Sequence, residues 1–227
     1  MIKMRRTFQE KLDEISTNVL EMGSLIQDTV NNAVAALINE DVELAQKVID
    51  DDNKVDDYDV MIEEKSMYIQ AEHQPVAKDL RFIHSVYLIV IYLERIGDIC
   101  VSISKLTKRL YTQEHTHISK DIKDLIIEMA SIVKTILEKA LKAFKNKDAK
   151  LGGKLEQIDN TIDDLQKALY QKLYSTHGEE VDYIKLVTNI SLASRYLERI
   201  GDNAVNIGDR VVYSLTGDFR AIHSDLE

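Results

Sequence analysis

The chain has 227 residues, 44% of them apolar and 30% charged, a balance typical of a soluble globular protein large enough for one domain or two. Its formal net charge of −10 excludes sequence-independent nucleic-acid binding and docking on anionic lipid, which both need a basic surface. The single cysteine, Cys100, excludes an internal disulfide and a Cys-based zinc site, and the acidic balance favours cations, basic protein partners or plain solubility.

The start, MIKMRRTFQEKLDEIS, carries basic residues but no apolar signal-peptide core behind them. Breakers are scarce, with one proline and eight glycines, so long helices are expected. Apolar periodicity places six of them, at 5–38, 41–71, 76–110, 118–145, 148–175 and 180–215. Val30, Val34 and Leu37 mark the inner face of the first. Asp41 is an expected N-cap for the second, where Val48, Val55, Ile62 and Ile69 recur every seven residues. Pro75 is expected just before or at the start of the third, where a missing amide costs little. That helix contains VYLIVIYL (86–93), a run rich enough in β-branched residues to suggest a buried strand. Its counterpart ISLASRYL (190–197) is not strand-like, so both are read as helix, with burial on several sides or a partner surface. The run is too short to span a bilayer, and a cytoplasmic location is expected. In the fourth helix Ile118, Ile122, Leu125, Met129, Val133, Ile136, Ala140 and Phe144 recur every three or four residues. Asp148 is the expected cap of the fifth, with Leu155, Ile162 and Leu169 on its seam. Short connections make neighbouring helices antiparallel. The expected fold is therefore all-α: two pseudo-symmetric antiparallel three-helix bundles, 1–112 and 113–227, side by side or end to end.

The pseudo-symmetry is written in the residues. YLERIGD occupies both 92–98 and 196–202, and that alignment also pairs Val101 with Val205 and Ile103 with Ile207. Upstream, Asp52, Asn53, Asp56 and Asp57 fall on Asp159, Asn160, Asp163 and Asp164. The second half is three residues shorter between these blocks, near 71–75, which suggests a turn there.

These repeats carry paired acids. Glu94 and Asp98, Glu198 and Asp202, Asp52 and Asp56, and Asp159 and Asp163 are each four apart and share a helix face. Asp52 and Asp159 fall on the apolar seam, as does Asp59, where burying an unpaired acid is costly. Facing carboxylates on neighbouring helices need protons, basic side chains or cations to coexist. Oxygen-only donor sets suit hard cations such as Mg²⁺, Ca²⁺, Mn²⁺ or iron; no His accompanies the motifs, which counts against zinc or copper. Arg95 and Arg199 point about 100° away from the adjoining Glu and are poor partners for it. Gly97 and Gly201 lie mid-helix and imply close helix approach, room for a cation, or both. Ser102 stands where Asn206 stands in the second half, and Asp59 where Gln166 stands, so the two sites need not be equivalent. The lone ExxH string at 114–117 is read as chance, and Cys100 as a small core residue.

As a set, ERIGD (94–98 and 198–202), DNKVD (52–56), DNTID (159–163) and QPVAKDLR (74–81) resemble the PhoU family of phosphate-transport regulators across essentially the whole chain. His73 departs from the Arg expected before Gln-Pro, and the second half lacks the turn motif. The resemblance implies two three-helix bundles and a cytoplasmic, non-enzymatic negative regulator of phosphate uptake and phosphate-starvation signalling. It implies as partners the ATPase of the phosphate ABC transporter and a PAS-containing sensor histidine kinase; self-association as a homodimer is compatible with both. It also implies metal cations, multinuclear iron among them, with Mg, Mn or Zn as alternatives. By motif match the ligands would be Asp52, Asp56, Glu94 and Asp98, then Asp159, Asp163, Glu198 and Asp202. The competing class is a carboxylate-bridged di-iron oxidase, which would want His ligands and an open substrate position; a metal-buffering or purely structural bundle is the third.

Overall fold

The computed structural model describes residues 2–111, 118–175 and 181–218, and among them every regular element is a helix. The chain runs through α1 (Ile2–Asn39), α2 (Val42–Asp50), α3 (Asn53–His73) and α4 (Lys78–Tyr111), then α5 (Lys120–Asn146), α6 (Ala149–Gly152), α7 (Leu155–Ser175) and α8 (Val181–Thr216). The expected 1–112/113–227 boundary and the ExxH string lie outside the described residues.

The helices form because apolar residues return every three or four positions to one face. In α1, Ile15, Val19, Met22, Ile26, Val30 and Ala33 are wholly buried. The α5 stripe is as expected except that Ile126, not Leu125, is the buried residue at that turn. Two turns are duplicated in detail. Glu40 (φ 63°) and Lys147 (φ 52°) both adopt the left-handed conformation. The residues that follow, Asp41 and Asp148, cap the next helix by accepting from the amides of Leu44 (2.8 Å) and Leu151 (2.9 Å). Pro75 falls in the connection before α4, flanked by left-handed Gln74 and Ala77.

The second and fifth expected helices are each interrupted. The first break is at Asp51–Asp52, between α2 and α3; the second is at Gly153–Lys154, between α6 and α7. Asp51 (φ −84°, ψ −4°) and Gly153 (φ −72°, ψ −4°) stay in right-handed space, so the chain kinks without reversing.

Bridges from Lys11 to Glu72, Lys65 to Glu14 (2.6 Å) and Tyr58 to Glu21 (3.4 Å) show α1 and α3 running antiparallel. The halves lie side by side. α1 packs on α4, α4 most extensively on α8, α8 on α5 and α5 back on α1, closing a central four-helix ring. α2–α3 and α6–α7 cover opposite flanks of that ring, and one continuous apolar core runs through both halves. The 86–93 run belongs to α4, with Val86, Ile89, Val90 and Leu93 buried, because α4 is covered by α1, α2, α3 and α8 at once. Cys100 is fully buried, and burial pushes its thiol pKa up.

Candidate functional site

In the first half Asp52, at the break just before α3, and Asp56 on α3 face Glu94 and Asp98 on α4. Asp52 and Glu94 are half-buried, while Asp56 and Asp98 are exposed. Burial raises the Asp52 pKa, and the negative charges of Asp56 and Asp98 add to it; Lys105, one turn and more beyond Asp98, opposes them. Glu94 is pushed up to about 7, first by burial and then by Asp98, Asp59 and Asp56. Arg95 relieves it least, as its direction on the helix predicts; its guanidinium instead sits 5.7 Å from the centre of the Tyr92 ring.

The second half repeats the arrangement on α7 and α8. Asp159 is pushed up to about 6 by burial, then by Asp202, Asp163, Glu198 and Glu156. Asp202 is raised by burial and by Glu198 and Asp163, with Arg199 a small counterweight. The Oδ1 atom of Asp159 is buried without a hydrogen-bond partner. Among the described residues none of the eight predicted acids is in an ion pair; lysines are spent on Asp51, Asp121, Asp164 and others. All eight are thus brought together as two groups of four.

The mid-helix glycines explain how the flanking helix comes so near. A Cβ on Gly97 would meet Ile26 Cδ1 at 3.3 Å, Val55 Cγ1 at 3.4 Å and Asp52 Oδ1 at 3.6 Å. One on Gly201 would lie 2.4 Å from Asp159 Oδ1 and 2.9 Å from Ile162 Cδ1. Each glycine is a notch into which the seam aspartate of the neighbouring helix fits.

Ser102 and Asn206, expected to distinguish the sites, behave alike. Ser102 Oγ donates to the Asp98 carbonyl (3.0 Å) and Asn206 Nδ2 to the Asp202 carbonyl (2.8 Å), both bonding back four residues along their own helix. The difference lies at Asp59, whose carboxyl is raised by burial and by Glu63 and Asp56, and at Gln166, whose Nε2 is buried without a partner. Sequence reasoning missed Glu156 and Lys105. They reach the clusters through tertiary approach, which no spacing along one helix records.

The PhoU domain family matches residues 19–107 and again 126–211, so the two matches fall on the two helix sets just described. The chain belongs to the PhoU family. It is 37% identical to a phosphate-specific transport system accessory protein PhoU homolog of Pseudomonas aeruginosa, over 92% of this chain and 86% of that protein. It is 32% identical to a protein so named from Clostridium acetobutylicum, over 94% of this chain and 96% of that one. Its fold superposes on the crystal structure of PhoU from Pseudomonas aeruginosa with a TM-score of 0.85 at 36% identity, covering 93% of this chain and 100% of that chain. The phosphate transport system regulatory protein PhoU of Streptococcus pneumoniae gives 0.84 at 27% identity, covering 93% and 98%.

The two acid clusters fit a cation in some respects and not in others. The donor set is carboxylate throughout, its raised carboxyls are pushed up first by burial and then by the negative charge of their neighbours, and Asp159 Oδ1 lacks a partner. In kind the donors fit a hard cation. In placement they are open: among the described residues no three His, Cys, Asp or Glu side chains converge closely enough to hold one ion. Ionised carboxylates repel one another, so closure would need side-chain rotation toward the ion or bridging water.

Proposed function

We propose that this PhoU protein is a cytoplasmic, non-enzymatic negative regulator coupling phosphate uptake to phosphate-starvation signalling. Its partners in this reading are the ATPase of the phosphate ABC transporter and a PAS-containing sensor histidine kinase. The observation that carries it is full-length likeness: the curated relatives match over nearly the whole chain, and those relatives are named accessory proteins of phosphate-specific transport. Among the described residues no helix is long and apolar enough to cross a membrane, which suits a protein that visits its transporter from the aqueous side.

A protein that acts by binding delivers its output as a shift in a partner's equilibrium. The two acid clusters are the place where such a shift could be set. We read Asp52, Asp56, Glu94 and Asp98, and Asp159, Asp163, Glu198 and Asp202, as cation ligands. A bound cation, multinuclear iron or Mg, Mn or Zn, would supply positive charge to the clusters. The residues' own part is to couple that charge to packing. Asp52 leads into α3 and Asp159 sits on the seam of α7, so neutralising them tightens α3 on α4 and α7 on α8.

The deciding experiment is deletion of the gene in its own cell. Phosphate-starvation genes should be derepressed in phosphate-rich medium, and capture of the ATPase or kinase by the purified protein should weaken as salt rises. Unchanged phosphate-responsive expression in a strain without a second family member overturns the regulator reading. Metal analysis of protein purified without chelators tests the cation part separately, with a variant carrying Ala at Glu94, Asp98, Glu198 and Asp202 as control.

A further inference from the structure

Apart from the acid clusters, the first half has a cavity lined in part by α3 and α4. It has a volume of about 630 Å³, within the range of small-molecule sites, and lies between α3, the 74–77 connection, α4 and the end of α8. Its lining combines apolar Met67, Leu80, Ile83 and Tyr87 with polar side chains that include Glu63 and His84. Met67 (55%), Leu80 (42%) and Tyr87 (36%) are among the most exposed large apolar side chains of the described residues, so the cavity opens to solvent through an apolar mouth.

Two polar groups in this lining lack partners. Ser66 is 2% exposed, and its Oγ makes no hydrogen bond. Arg81 has its Nε buried and unpaired, and its guanidinium packs against Gly217, where a Cβ would stand 3.1 Å from Cζ. Gly217 (φ 75°) ends α8 in a left-handed conformation that also suits glycine. A buried hydroxyl left unsatisfied bears its desolvation cost with no hydrogen bond to offset it.

The internal repeat provides the control. The alignment that sets Asp52 on Asp159 sets Ser66 on Leu173, which is 1% exposed and completes the apolar seam of α7. Setting Tyr92 on Tyr196 places Arg81 on Lys185 and Tyr87 on Ser191. The fold therefore accommodates Leu at this seam position, and the first half carries an unsatisfied hydroxyl there instead. Its packing gives no return for that cost, whereas a ligand that bonds Ser66 and Arg81 together would.

We propose that this cavity binds a small amphipathic anion: an apolar body against Met67, Leu80, Ile83 and Tyr87, with a carboxylate or phosphate accepting from Ser66 Oγ–H and the Arg81 guanidinium. The proposal is independent of the cation clusters and of the phosphate-regulator reading. The test uses the full chain and 1-anilinonaphthalene-8-sulfonate, itself an apolar body bearing one anion, followed by fluorescence. Decanoate and decyl phosphate, both below their micelle concentrations, serve as competitors that separate the two headgroups, and decanol is the neutral control. The structure leads to saturable one-site binding, displaced by at least one of the two anions and at least tenfold less well by decanol. Affinity should fall at least tenfold in Ser66→Leu and in Arg81→Met. Ser66→Leu copies the second half, so it should melt no lower than the parent and keep the test valid if Arg81→Met folds poorly. Absence of saturable binding, an unchanged affinity in folded Ser66→Leu, or equal displacement by decanol overturns the proposal.

Discussion

The two halves of the molecule keep the same acids but hold them at different distances. In the second half α6 meets α8 backbone to backbone: a Cβ on Gly208 would lie 2.8 Å from the Gly152 carbonyl oxygen and 2.6 Å from Leu155 Cδ1. In the first half the paired positions are Ala45 and Ser104, both fully buried, so side chains stand where the second half has none. The same contrast recurs one level along, where Gly201 nearly touches Asp159 and Gly97 leaves Asp52 an ordinary contact. Closer approach desolvates Asp159 and strips its Oδ1 of partners. In the first half the largest shift moves to the other helix, to Glu94, where Asp59 adds a negative charge that Gln166 does not supply in the second. Duplication preserved which residues meet, and the small residues beside them determine how closely.

The largest expected effect tests the approach itself. Gly208→Ala drives a methyl into the Gly152 backbone, which cannot swing aside as a side-chain tip can. Overpacking of this kind costs about 2–3 kcal/mol, enough to be read directly in urea denaturation. Ser104→Ala at the paired position removes a buried, unpartnered hydroxyl and should be neutral or stabilising. Equal costs at the two positions would remove the distinction between the halves.

Next in size is the effect on cation binding. Gly201→Ala places its Cβ on Asp159 Oδ1 and must turn that carboxylate away, so cation affinity of the second cluster should fall about tenfold, or ~1.4 kcal/mol. Its fold stability should change little, since alanine regains up to about 1 kcal/mol of helix propensity. Gly97→Ala meets nothing nearer than 3.3 Å and should leave the first cluster's affinity within about twofold. Calorimetric titration of both variants separates the clusters, and a matching loss in each would show that the notches play the same part.

Much of this was legible in the sequence, and the remainder was hidden for a physical reason. The helices, both aspartate caps and the four pairs of acids spaced four apart follow from spacing along single helices, which periodicity records. The breaks at Asp51–Asp52 and Gly153–Lys154 did not show, because Asp51 and Gly153 keep near-helical dihedrals and the apolar stripe continues across them. Glu156 and Lys105 join their clusters only through the way α7 meets α8 and α3 meets α4. The Gly152–Gly208 contact was equally hidden, because nothing along one helix names its partner on another. The unsatisfied Ser66 becomes visible only when the structure shows it buried and the repeat shows Leu173 in its place.

The smallest expected effect comes from protons, and it differs between the halves in where it occurs. Glu94 rises from its ordinary 4.5 to about 7, and Asp159 from 3.8 to about 6. A carboxyl whose pKa is higher in the folded state holds its proton more tightly there, so protonation favours folding. The Glu94 contribution is therefore complete below pH 4.5 and lost as pH rises through about 7; that of Asp159 is complete below 3.8 and lost through about 6. Glu72 and Asp121, held low by Lys11 and Lys172, act in the opposite sense, which restricts the useful window to above their ordinary range. Protein freed of cations should thus be more stable near pH 5 than near pH 8. Unscreened, the Glu94 shift would correspond to about 3 kcal/mol; for a partly exposed carboxylate, solvent screening leaves about 1 kcal/mol. Glu94→Gln should recover that amount at pH 8 and add nothing at pH 5, while Asp159→Asn should flatten the profile about one pH unit lower. Adding a bound cation must reverse the slope, because it competes with the same protons and is held more tightly as they leave. Melting curves across this window, with and without chelator, give both signs at once. A profile unmoved by Glu94→Gln would mean that the first cluster is solvated well enough to ionise freely, and the contrast between the halves would then rest on glycine packing alone.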